Sequence, residues 1–443
     1  MNMNKKTTLS ILFLFCIILS NSSINVTTHA FAKNVSTKAI SSMAASDALE
    51  AQDYKGDTFT LQLDKKYTNV KLSFIELADG SISDANVSIT KSIASITNAY
   101  DIPMGSTSKL YLLLKTGKIV TYSFSTDTKV KFDLNSQRDY VIPANPSKGF
   151  YFPYFISFKG SSNLADYKST MMFDTSNNHL TFTNKEAFAQ MKETIKYASH
   201  YIYDIGAKGN YITVMFVFPR PYQDSMLYTH ALDRDTLTLT QEQSDALHRG
   251  NLVRLDLQYL AVIKDAKAQV TANNKKVDDK VFLFGFSASA DFATRFTLLH
   301  PEGVKGVVVN ASPTMPFSSY NGVTLNYPLG IADLKSLVGT KFNVTAFKKV
   351  PQFWHSGSID DNDGTYYGDG WGNYGDDTKD WNAEGIDYRK AFGNEITERK
   401  RLIAKVIPDK GFTNITFKEY KGASHEITSK MLSDILAFLN KIK

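Results

Sequence analysis

Cysteine is almost absent from this chain: one residue, Cys16, in 443. No disulfide framework is possible, so the fold must be stabilised by a sizeable apolar core. Long apolar runs are missing too, since none reaches the roughly 20 residues of a membrane-spanning helix. No cluster of Lys or Arg stands out either. Fifty basic residues against 44 acidic ones leave a formal charge of +6, and that mild excess without a basic patch does not suggest a nucleic-acid partner. No internal repeat occurs. Apolar content of 43% and charged content of 21% are ordinary for a globular protein.

What is present begins with a processing signal. Lys5 and Lys6 precede an apolar run from Leu9 to Leu19, and polar residues then lead to Ala30-Phe31-Ala32. A basic start, a short apolar stretch and an A-x-A site read as a secretory signal peptide over 1–32, cleaved after Ala32. Phe15 before Cys16 argues against a lipoprotein. Cleavage would remove Cys16 and leave 48 basic against 44 acidic residues. The expected location is therefore secreted or extracellular, with weak association to an anionic cell surface through the N-terminal domain as a further option.

Residues 33–56, rich in Ser, Ala and Lys, read as a linker. From 57 to 140 the pattern is short and alternating. Thr58–Leu63 and Asn69–Ile75 have period two, and Leu110–Leu114 and Ile119–Phe124 flank a Lys115–Lys118 turn as a hairpin. A small β-sandwich-like domain is expected there. From 141 to 443 apolar strands alternate with helical periods, which predicts an α/β layer fold with a mostly parallel sheet flanked by helices. Strands are expected near Gly149–Phe158, Ser169–Phe173, Tyr211–Phe218, Lys280–Phe284, Val304–Val309, Val350–Gly357 and Phe412–Tyr420. Asp174–Asn178 reads as a polar loop. Helices are expected over Lys185–Tyr203, Asn251–Val270, Asp291–His300 and Ile427–Ile442, while Thr236–Thr240 is too short to place.

The chemistry gathers at Val281-Phe282-Leu283-Phe284-Gly285-Phe286-Ser287-Ala288-Ser289-Ala290. An apolar strand runs into Gly-x-Ser-x-small and then a helix, the pattern of a nucleophile elbow. Gly285 and Ser289 supply the small neighbours that the strained serine needs, although Ser289 stands where Gly is usual. A serine hydroxyl requires a base, an orienting acid and oxyanion donors. His425, in Lys421–Glu426 between the last strand and the last helix, is the candidate base. His179, His200, His230 and His248 lie upstream of Ser287, His300 ends a helix, and His355 falls within a buried strand. The acid is sought in Ser356–Asp363. Asp360, nearest the strand, leads, with Asp361 and Asp363 as alternatives. Asp361-x-Asp363-Gly364 lacks the distal Glu of a calcium loop, so no metal is expected.

The order Ser287, Asp360, His425 is that of α/β-hydrolases. From about Gly149 onward the chain resembles that superfamily. Gly285–Ala290, Arg295-Phe296, Leu299–Glu302, Phe216–Pro221 and Leu255–Gln258 look like a group of secreted bacterial serine hydrolases, with polyhydroxyalkanoate depolymerases and feruloyl esterases as looser relatives. The resemblance implies an oxyanion hole built from the Ala288 N–H and the loop after the third strand, where Asn177 and then Asn178 are candidates. Arg220 and Tyr222 follow a central strand's carboxyl end, where α/β sites lie, and Trp371 and Tyr374 belong to an aromatic, Gly-rich insertion after the acid. All four are candidate substrate-binding residues. The expected activity is cofactor-free hydrolysis of a carboxylic ester, in a small molecule or a polymer. A peptidase of the same fold and a surface-binding protein with a vestigial hydrolase domain are the alternatives.

Overall fold

The computed structural model describes residues 48–175, 179–224, 227–310, 314–362 and 379–442. They form two compact units. The first holds 48–131 with 142–144, and the second holds 132–141 with the rest. The expected signal peptide lies outside the described residues.

The first unit is all β. Its strands are β1 (Leu49–Glu50), β2 (Phe59–Tyr67), β3 (Val70–Glu76), β4 (Asn86–Thr97), β5 (Thr107–Leu114) and β6 (Ile119–Ser125). One sheet has the order β1-β6-β5-β3, and β2 pairs with β4 in a second. The period-two pattern decides which side chains turn inward: Phe59, Leu61 and Leu63 of β2 are buried while Gln62 is exposed. The β5–β6 hairpin closes through Gly117, whose φ of +84° suits a residue without a Cβ. Leu49–Glu50 lies in the stretch expected to be linker, yet it pairs in parallel with Phe124–Ser125.

In the second unit the strands are β7 (Asp139–Ile142), β8 (Tyr154–Ser157), β9 (Met172–Thr175), β10 (Leu180–Thr181), β11 (Thr213–Phe216), β12 (Arg220–Pro221), β13 (Val281–Phe286), β14 (Val304–Asn310), β15 (Ser319–Tyr320), β16 (Val323–Thr324), β17 (Gln352–Gly357) and β18 (Ile415–Tyr420). The main sheet has eight strands, ordered β7-β8-β11-β9-β13-β14-β17-β18. Strands β9, β11, β13, β14, β17 and β18 are parallel, and β8 is antiparallel to β11. Counted along the chain from β7, the spatial order is 1-2-4-3-5-6-7-8. The central strands are buried throughout, as continuous Val, Phe, Leu and Met runs require when helices cover both faces.

Some boundaries differ from the sequence reading. Residues 132–140, expected in the β domain, go with the second unit, where Phe132 and Tyr140 pack on Phe158. The helix expected over Lys185–Tyr203 is two helices, Asn184–Lys196 and Tyr201–Gly209. Ala198 at φ +48° breaks it, and the turn sends His200 into the core against Phe284. Asp174 and Thr175, expected in a loop, end β9 and are buried. Asp235–Thr238 is a helical turn in spite of its alternating Thr-Leu sequence, and Asp233 caps it by accepting from the Thr236 N–H at 3.0 Å.

Candidate active site

The elbow forms where β13 gives way to the helix Ala288–Leu299. Ser287 sits between them at φ 60°, ψ −130°, a strained region for a residue with a Cβ. Its N–H donates to the Asn310 carbonyl at 3.0 Å, and its carbonyl accepts from the Ala290 N–H at 2.9 Å. Gly285 is needed because a Cβ there would lie 2.4–2.6 Å from the backbone of Ser289 and Ala290. The departure from Gly at position 289 has a physical basis. The Ser289 hydroxyl accepts from the Phe286 N–H at 2.9 Å and so braces the turn from inside. It also bonds the buried Asp174 carboxylate, whose Oδ1 accepts from the Thr175 N–H at 2.7 Å. Burial pushes the Asp174 carboxyl well above the ordinary carboxylate range, against those two hydrogen bonds. His200 Nδ1 lies 3.4 Å from Asp174 Oδ2, and burial pushes that imidazole down to about 4. Two desolvated groups thus underlie the turn, and burial disfavours the charged form of each.

Asp360 and His425 arrive from neighbouring strands. Asp360 follows β17 and His425 follows β18, the parallel edge pair. Gly357 lets the two loops close on each other, since a Cβ there would lie 2.1 Å from the Ala423 carbonyl oxygen and 2.4 Å from that of Ser424. His425 Nδ1 is then 3.2 Å from each Asp360 carboxylate oxygen. Asp360 is 1% exposed. Burial alone would raise its carboxyl, but the hydrogen bond from His425 and the charge of Lys400 outweigh it and hold the group at about 2. The His425 ring packs on Phe286, the residue before Ser287, with centroids 4.6 Å apart. Asn362 donates from Nδ2 to His425 Nε2 at 3.1 Å, which matches a proton on Nδ1 facing Asp360.

Of the other candidate residues, Ala288 opens the elbow helix, where N–H groups lack partners within the helix. Asn177, Asn178, Trp371, Tyr374 and Asp363 lie outside the described residues. Asp361 is exposed and is not the carboxylate on His425. Arg220 lies on β12 with its guanidinium 3.8 Å from the centre of the Tyr228 ring. Tyr222 stacks on Phe182 at 4.1 Å, with both rings more than half exposed. A cavity of about 60 Å³ beside Lys400, lined also by Trp354, Ile403 and Phe417, is far smaller than the several hundred Å³ of a ligand pocket.

Two contributors escape a reading of the sequence alone. Asn310 ends the apolar strand β14. Its carbonyl holds the Ser287 N–H, and its Nδ2 donates to the Glu426 carbonyl at 3.4 Å, so one residue ties the nucleophile turn to the His425 loop. A buried Asn closing a Val-Val-Val run is the available signal. Lys400 donates to Asp360 Oδ2 at 3.0 Å from the helix Ile396–Asp409.

No protein-family model and no curated protein matches the chain. Solved structures that resemble it include an S-formylglutathione hydrolase from Agrobacterium tumefaciens, with 15% identity and a TM-score of 0.37 over 69% of this chain and 95% of that one. A siderophore hydrolase from Aspergillus nidulans is 13% identical, TM-score 0.35, over 70% and 96%. A thermostable esterase is 12% identical, TM-score 0.30, over 85% and 91%. These overlaps are loose. In its own right, the strand order, with Ser287 after the fifth strand and Asp360 and His425 after the seventh and eighth, gives this chain the α/β-hydrolase fold.

Proposed function

We propose that the protein is an exported serine hydrolase that cleaves carboxylic esters through an acyl-enzyme. The observation that carries this reading is the elbow geometry of Ser287 at one strand end, with an Asp360–His425 pair beside the same turn. In the proposed reaction Asn362 yields Nε2 of His425 to the Ser287 hydroxyl. His425 takes the hydroxyl proton as Oγ attacks the ester carbonyl, and Asp360 holds the Nδ1–H tautomer and supports the imidazolium. The Ala288 N–H at the helix N-terminus stabilises the oxyanion. His425 then protonates the leaving alcohol, takes a proton from the water that attacks the acyl carbon, and returns it to Ser287 Oγ as the Oγ–acyl bond breaks and the acid is released. No cofactor enters this scheme. Arg220 and Tyr222 are proposed to line the substrate's approach, and the N-terminal segment is proposed to direct export.

A fluorophosphonate probe tests the nucleophile. Wild type is expected to label and Ser287→Ala to be unlabelled, with ester turnover reduced by at least about 10³-fold. Equal labelling of the two proteins would remove Ser287 from the reaction. A panel of p-nitrophenyl esters and peptide amides checks the bond type, and cleavage of amides alone would replace the esterase reading with a peptidase.

A further inference from the structure

The helix Ile396–Asp409 carries an anomaly. Its inward face runs through Ile396, Arg399, Ile403, Val406 and Ile407, and position 400 lies beside Arg399 at i+4 from the first. An apolar residue is expected there, and the chain has Lys400, whose side chain is only 11% exposed. Lysine is seldom buried without a partner, and a buried ion pair gains little over apolar residues of similar size. The partner is not a bystander: it is Asp360, the carboxylate that faces His425, at 3.0 Å.

We propose that Lys400 is a positioning residue of the hydrolytic centre, which shares the Asp360 carboxylate with His425 and thereby sets the acid limit of activity. The inference rests on the serine-hydrolase reading above. Asp360 Oδ2 receives Lys400 Nζ at 3.0 Å and faces His425 Nδ1 at 3.2 Å, so an imidazolium would lie within about 6 Å of a fixed ammonium. A carboxylate already neutralised by a cation stabilises an imidazolium less than an unaccompanied one does. Lys400 therefore competes with His425 for the charge of the shared carboxylate. The same contact fixes the carboxylate plane, because Asn362 N–H donates to Oδ1 at 3.2 Å while Lys400 occupies Oδ2.

Other charges near the pair have partners of their own. Arg399, buried on the same helix, donates to the Gly393 and Asn394 carbonyls at 3.0 and 3.1 Å. Arg401, on the same helix, is matched by Glu419 of β18 at 2.9 Å. Lys418 of β18 is matched by Asp434 at 2.6 Å. His355 of β17 is kept neutral by burial, Asp361 is exposed beside the acid, and Glu426 follows His425 with its carboxylate 3.5 Å from the Ser424 N–H. All of these remain when Lys400 is replaced.

The test follows the His425 imidazole directly, by NMR of protein labelled at histidine Cε1, with His425→Ala supplying the assignment. In Lys400→Met the titration midpoint of His425 is expected to rise by about one pH unit, and the acid limb of kcat/KM to move up with it. Lys400→Arg, which keeps the charge, is expected to restore the wild-type midpoint. Lys400→Gln serves as a second neutral variant should the Met protein fail to fold. An unmoved midpoint in the neutral variants, or equal midpoints for Arg and Met, overturns the proposal. Inactivity of the wild type towards esters and the probe would overturn the hydrolase reading, while the NMR midpoints still decide whether Lys400 governs His425.

Discussion

Replacing Gly285 by alanine probes the elbow without touching any group that reacts. The new Cβ would stand 2.4 Å from the Ser289 carbonyl oxygen, 2.5 Å from Ala290 Cα and 2.6 Å from Ala290 N. All three are backbone atoms of the first helical turn, so no side-chain rotation relieves the clash. Restoring an ordinary separation of about 3.5 Å moves that turn, or β13, by about 1 Å. Overpacking of this kind costs about 1–3 kcal/mol, which for a unit of this size lowers the melting temperature by roughly 2–5 °C. A displacement of about 1 Å at Ser287 should slow acylation about 100-fold. Gly303→Ala is the control, because a Cβ there meets nothing within 4 Å. The measurements are a thermal melt and the rate of fluorophosphonate labelling, taken on both variants. Gly285→Ala labelling within about threefold of wild type, a small fraction of the loss expected from misplacement, would refute the reasoning.

Two further outcomes are expected. Burial holds the His355 imidazole at about 4, with neither ring nitrogen given a hydrogen-bond partner among the described residues. Because the unfolded chain binds this proton more readily, stability is fully present above pH of about 6.5 and declines as pH falls towards 4, by on the order of 3 kcal/mol; His355→Leu should flatten the urea-unfolding profile over that range, and an unchanged slope would contradict the assignment. Asn362→Ala frees Nε2 of His425 from a hydrogen bond worth about 1 kcal/mol, so probe labelling should quicken up to about fivefold; slower labelling would mean that Asn362 supports the base instead.

The sequence carried the site where the information is local, and lost it where side chains meet across long separations. Gly285, Ser287 and the flanking strand and helix lie within one short stretch, and the steric demands of that turn can be read from residue size. Asp360 and His425 were legible because strand order places them. Lys400 was not. It is 40 residues from Asp360, on a helix that also buries Arg399, and only packing shows that it points inward. Asp174 failed for the opposite reason. A polar cluster read as a loop, but Ser289 and the Thr175 N–H satisfy the carboxyl inside the protein, which lets it end a buried strand. The Ala198 break was hidden because the apolar spacing of Phe188, Met191 and Ile195 continues into the next helix with only a short interruption.

The place of β18 at the rim of the sheet has a consequence for how this protein would fail. Ser287 follows β13, which is flanked by strands on both sides. His425 follows β18, which has a strand on one side only. Rim strands exchange and open at lower free energy than central ones, so the loop bearing His425 can part from Asp360 while the core around Ser287 is still intact. The Asp360–His425 pairing, and any activity that the proposed reaction draws from it, would then vanish before the fold does. Mild heat or denaturant would yield a compact, soluble and inert protein, and its recovery would require only the re-docking of one strand.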